Sequence, residues 1–187
     1  MLGKDGEKNP YAPPLSDVDA TSEKAKIIVL EGEPSGIGGW LLVPLLGVIL
    51  TPIRVGFDVY RDLLPAFTPV VWSRITNPAA DSYHPFTAPL IVFELIANIG
   101  IILLSLYLLR QFLKKSTGVP RLYIVFYSSL VAIQVIDLTF AAQIPSIASG
   151  VNAEMTKDLV KSVISAVIWI PYFLVSKRVK NTFVVET

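Results

Sequence analysis

The chain has 187 residues, of which 52% are apolar and 17% charged, and its formal net charge is +1. This composition excludes an ordinary soluble domain, in which charged residues are more frequent and apolar residues fewer. The near-zero net charge gives no argument for nucleic-acid binding, and the absence of cysteine excludes disulfides, thiolate nucleophiles and cysteine-ligated metal sites.

The first 35 residues are a polar leader. They contain seven acidic residues, four lysines and the prolines Pro10, Pro13 and Pro14. No apolar stretch in them is long enough for the core of a cleaved signal peptide. Burying the few apolar side chains of this leader would not offset the entropy lost on ordering the chain. We therefore predict that residues 1–35 are disordered and cytoplasmic.

Four apolar segments are long enough to cross a bilayer, whose hydrocarbon core of roughly 30 Å takes about 20 helical residues. They cover residues 36–53, 87–109, 122–143 and 160–176. The first contains Pro44 and Pro52, and we expect Pro44 to bend it. The sequence therefore predicts an all-α integral membrane four-helix bundle over residues 36–184.

The connections between the segments differ in kind. Residues 110–121 form a short basic turn with Gly118 and Pro120, which makes the second and third spans antiparallel neighbours. Residues 54–86 are longer, and apolar residues recur in them near helical spacing: Phe57, Tyr60, Leu64 and Phe67. They form either an interfacial helix with its aromatic side in lipid or an irregular loop.

The basic residues are unevenly distributed between the two sides of the predicted bundle. One side carries eleven of the sixteen: Lys4, Lys8, Lys24, Lys26, Arg110, Lys114, Lys115, Arg121, Lys177, Arg178 and Lys180. The other side carries Arg54, Arg61, Arg74, Lys157 and Lys161. Because cytoplasmic segments are enriched in Lys and Arg, we predict that both termini are cytoplasmic.

Two carboxylates lie at membrane depth, where an ionisable group is by default a candidate functional site. Glu94 in the second span and Asp137 in the third both lie roughly 9–11 Å below the outer surface at 1.5 Å per residue. Asn98 follows Glu94 by four residues and Gln134 precedes Asp137 by three, so each carboxylate shares a helix face with an amide.

Two interpretations of these four residues stay open. In the first, Glu94, Asn98, Gln134 and Asp137 line a polar pocket open to the outer side, and the two acids carry a proton or bind a cation. In the second, they are hydrogen bonds that hold helices together. Lys161 is placed to neutralise either acid. The sequence predicts no catalytic residues, no metal site and no cofactor.

Several segments resemble the bacterial DUF2569 family. Gly36–Leu42 is similar to the start of the family pattern, and the rest of that pattern is similar to Phe93–Asn98, the basic turn to Pro120, Ile168–Phe173 and Ser176–Phe183. The resemblance covers residues 36–184. It implies a small four-helix protein of the bacterial inner membrane whose function is uncharacterised. Some members of the family look to have a cysteine-rich zinc-ribbon extension before the membrane domain. This chain has no cysteine, so the resemblance does not imply zinc binding here.

The preferred functional prediction is a non-enzymatic accessory or structural subunit. It would contact the lipid bilayer and a membrane-protein partner or a second copy of itself through small residues such as Ser128 and Ala132, whose spacing suits close helix packing. The alternative is a small-solute or proton-coupled transporter component that uses Glu94 and Asp137. A third interpretation, an enzyme acting on lipid or quinone, lacks a paired nucleophile and base.

Overall fold

The structure is a computed structural model that describes residues 35–145 and 152–185. These residues form the helices α1 (Leu42–Asp58), α2 (Pro69–Thr76), α3 (Thr87–Leu113), α4 (Val119–Ala141), α5 (Asn152–Val175) and α6 (Lys177–Thr182). Four helices are long and apolar enough to cross a membrane, namely α3, α4, α5 and α1 extended by its flanking turns. The protein is therefore an all-α, multi-pass membrane protein, as the composition predicts. The predicted disorder of the leader falls on residues outside the described ranges.

The first span is longer than the sequence predicts. A 3-10 turn at Gly39–Leu41 precedes α1, and further helical turns at Val59–Leu63 and Leu64–Phe67 follow it. The result is 29 continuous helical residues. Pro44 lies in the first turn of α1, where helices tolerate proline, and the helix continues through Pro52.

Residues 54–67 therefore continue the helix of the first span, so they do not form the irregular loop. Only residues 68–86 connect the first two spans, and they contain the short helix α2. The Phe67 and Trp72 rings stack across the start of this connection, with centroids 5.2 Å apart. The fourth span also differs, because α5 begins at Asn152, well before the predicted residue 160.

The long helices pack in chain order, α1 on α3, α3 on α4 and α4 on α5. Within the described chain, α1 and α5 do not form a comparably extensive contact, and we call the space between them the seam. Large apolar side chains cover the outer faces, as expected for lipid contact: Ile53, Ile96, Leu103, Val167 and Leu174 are each more than half exposed.

One end of the bundle, here called the basic end, consists of residues 110–121, residues 176–185 and the start of the first span. The Thr182 hydroxyl donates to the carbonyl oxygens of Gly36 and Arg178, at oxygen–oxygen distances of 3.2 and 2.7 Å. The Val185 N–H donates to the Lys115 carbonyl, and its own carbonyl accepts from the Thr117 N–H. The beginning, the middle turn and the C-terminal segment of the bundle are thus bonded together.

Gly39 is a point of strain for any larger residue. Its φ is +55°, in the left-handed region, and an added Cβ would lie 3.4 Å from Cζ of Arg178. We expect Gly39→Ala to lower the free energy of unfolding in detergent by about 1–2 kcal/mol. The matched control is Gly100→Ala, since an added Cβ there meets open space inside α3. That change should be neutral or stabilising by up to about 1 kcal/mol; equal losses in both variants would contradict the prediction.

Candidate functional site

A polar cavity of about 340 Å³ lies among the four long helices. Each helix contributes to its wall: Thr51, Arg54, Val55 and Asp58 from α1, Asn98 and Ile101 from α3, Leu130, Ile133, Gln134 and Asp137 from α4, and Met155, Asp158, Lys161 and Ser162 from α5. These positions lie in the half of the bundle remote from the basic end. We call the opposite end, where residues 68–86 connect the spans, the loop end.

Three of the four predicted site residues, Asn98, Gln134 and Asp137, line this large cavity. Glu94 does not. It lines a neighbouring cavity of about 180 Å³, together with Asn98 and Asp58, which both cavities share. Of the two acids that the sequence places in one pocket, Asp137 therefore lines the large cavity and Glu94 lines the smaller cavity that adjoins it.

The hydrogen bonds at the cavity satisfy only part of its polar wall. Gln134 Nε2 donates to Ser162 Oγ at 2.8 Å, which links α4 to α5. Gln134 Oε1 and Asp137 Oδ1 are both enclosed by protein, and no described residue donates a hydrogen bond to either atom. An enclosed polar atom without a partner costs about 1–3 kcal/mol. Helix–helix bonding accounts for the Gln134 amide nitrogen and leaves both acceptor oxygens unexplained.

A network of ion pairs crosses the seam beside these acceptors. Arg54 lies 3.6 Å from Asp58 on its own helix and 3.6 Å from Asp158 on α5. Lys161 Nζ lies 2.8 Å from Asp158 Oδ1. The two cations of the cavity are therefore held by Asp58 and Asp158.

In the part of the chain that the structure describes, Glu94 and Asp137 have no such cation. Lys161, the neutralising partner that the sequence suggests for either acid, pairs with Asp158 instead. Within the described residues, no lysine or arginine lies within ion-pair distance of Glu94 or Asp137. The lining of the large cavity carries three carboxylates against two cations, so an excess of negative charge faces its interior.

The charged residues of the seam are open to the surroundings. The side chains of Arg54 and Lys161 are 73% and 65% exposed. Charges exposed in this way require contact with water. The cavity beside them can therefore hold water and a polar solute.

The sequence interpretation missed the charged half of this wall, which consists of Arg54, Asp58 and Asp158. A signal was present, because Arg54 and Asp58 are four residues apart and Asp158 and Lys161 are three apart. Such spacings place opposite charges together on a helix. The signal was lost because the predicted first span ended at residue 53 and the predicted fourth began at residue 160.

A family model described as "Protein of unknown function (DUF2569)" matches residues 34–184. The match agrees with the resemblance to this family that the sequence shows over residues 36–184. No curated protein and no solved structure matches the chain.

Proposed function

The chain belongs to the DUF2569 family of unknown function, and we propose from its own geometry that it is a non-enzymatic membrane protein that binds a small polar solute as a transporter component. The observation that supports this proposal is the cavity of about 340 Å³ with two enclosed, unpartnered acceptor oxygens. A solute with hydrogen-bond donors would offset the cost of leaving these two acceptors unpaired.

We propose the bacterial inner membrane as its location, with the basic end and both termini in the cytoplasm. The support is the enrichment of Lys and Arg at the basic end. In this orientation the cavity and the exposed charges of the seam lie in the outer half of the bilayer. A solute would enter from the outer side.

We propose a component of a transporter and not a complete transporter, because four helices leave little room for a complete alternating-access pathway. The cavity reaches the middle of the bundle, whereas the basic end is filled by large buried side chains such as Phe112 and Tyr123. Passage to the cytoplasm would need a second copy of this chain or another membrane protein.

Cysteine accessibility tests the proposal, since the chain has no native cysteine. Ser162→Cys places a thiol on the cavity wall, and we expect a membrane-impermeant thiosulfonate reagent to label it from the outer side. The matched control is Ser128→Cys, because Ser128 is exposed on the outer face of α4, away from the cavity lining. In lipid its thiol should resist the reagent. Failure of Ser162→Cys to react from either side would contradict a water-filled cavity.

The accessory-subunit function is the second candidate. The observation that favours it is the exposure of Ser128 and Ala132, four residues apart, on the outer face of α4. Small residues at this spacing let another transmembrane helix approach closely. Native mass spectrometry of gently extracted protein separates the candidates: a stoichiometric partner that is lost in Ala132→Leu would support the accessory role.

A further inference from the structure

We propose that the large cavity takes a small organic cation, a protonated amine with an apolar portion, bound through Asp137 and Gln134. The inference rests on the proposed solute binding and names the chemical class of the solute. It depends on the charges of the cavity, on its unpartnered atoms and on its shape.

The charges of the cavity favour a cation. Arg54 and Lys161 are already engaged by Asp58 and Asp158. An anionic solute would add a further negative charge beside the three carboxylates of this wall. Asp137 has no cationic partner among the described residues. A bound cation would supply one.

The unpartnered atoms favour a hydrogen-bond donor. Gln134 Oε1 and Asp137 Oδ1 are both acceptors, and they lie three residues apart, on adjacent turns of one face of α4. An ammonium group carries up to three N–H donors and no acceptor. Such a group matches the acceptor chemistry of both side chains, and its bond to a carboxylate is charge-assisted.

The shape and lining favour an organic molecule over a bare metal ion. Cavities that bind small molecules begin at roughly 300 Å³, and this one has about 340 Å³. Part of its wall is apolar and consists of Val55, Ile101, Leu130, Ile133 and Met155. This apolar surface has no use in binding a metal ion, whereas it can pack against the hydrocarbon part of an amine.

The test measures binding of a matched series of probes to the purified full-length protein in lipid nanodiscs by saturation-transfer NMR. The probes are butylammonium, butan-1-ol, butanoate and the zwitterion 4-aminobutanoate, with potassium chloride as a competitor. We expect butylammonium to bind and the neutral and anionic probes to bind roughly tenfold to hundredfold more weakly, because they lose a charge-assisted hydrogen bond.

Three variants locate the binding. Asp137→Asn should weaken butylammonium binding roughly tenfold to hundredfold, whereas Asp81→Asn, in the exposed loop, should leave it unchanged. Asp137→Glu keeps the carboxylate and should retain measurable binding. The probe series in the unaltered protein tests the inference even if Asp137→Asn does not fold.

Several outcomes would overturn the inference. Equal binding of butan-1-ol or butanoate would remove the requirement for a cation, and stronger binding of 4-aminobutanoate would assign a zwitterion. Displacement of butylammonium by potassium at equal concentration would point to a metal-ion site. Absence of butylammonium binding in a protein whose Ser162→Cys variant is labelled would reject the amine and leave solute binding in place. An unlabelled Ser162→Cys would reject the proposed function itself.

Discussion

Replacing Phe173 with alanine is expected to cost about 3–5 kcal/mol of unfolding free energy, the usual range for a large aromatic removed from a packed core. Phe173 is 2% exposed. Its ring stacks on that of Tyr123, with centroids 3.9 Å apart, and contacts Phe112 edge-on at 6.5 Å. The side chain joins α5 to α4 and α3 at the basic end, so its removal leaves a void between three helices.

Denaturant unfolding in detergent micelles measures this loss, with the neighbouring Leu174→Ala as the control. Leu174 is 56% exposed on the outer face of the same helix. Its truncation should cost less than about 1 kcal/mol. Similar losses in the two variants would mean that the aromatic cluster does not form the stabilising core of the bundle.

A cysteine at one end of the bundle and a cysteine at the other end are expected to be labelled from opposite sides of the membrane. Lys114→Cys lies in the exposed turn at the basic end, and Asp81→Cys lies in the exposed connection at the loop end. We expect an impermeant thiol reagent to label Lys114→Cys only from the cytoplasm and Asp81→Cys only from outside, because the charge asymmetry sets the orientation.

Ser116→Cys provides an internal control for this experiment. Ser116 is only 1% exposed, and its backbone pairs with Val185 in an isolated bridge. A cysteine there should resist the reagent from both sides until the protein is denatured. The opposite labelling pattern for Lys114→Cys and Asp81→Cys would overturn the orientation, and with it the outer opening of the cavity.

The number of spans and the membrane class follow from composition, because only an apolar helix of about 20 residues satisfies its backbone in lipid. The ends of α1 and α5 do not follow, because Arg54, Asp58, Lys157 and Asp158 interrupt the apolar pattern. A span predicted from hydropathy ends where charged residues begin. The helix itself can continue past a charged residue, provided that its side chain pairs with an opposite charge or contacts water.

The site was predictable only in part. Helical spacing places Gln134 and Asp137 on one face of α4, and both line the large cavity together with Asn98. The separate position of Glu94 depends on how α3 is rotated relative to α1, whose continuation through Val59 and Leu63 forms the other side of the smaller cavity. That rotation is set by packing between helices that are distant in the chain. The spacing of residues within one helix therefore does not predict it.

The bonding of the basic end has a mechanical consequence. Thr182 holds the start of the first span, Val185 holds the turn between α3 and α4, and the stacked rings of Tyr123 and Phe173 fill the space between them. We therefore expect the helices to separate more readily at the loop end than at the basic end. The exposed Arg54–Asp158 ion pair opposes that separation, and salt should weaken it by screening the two charges.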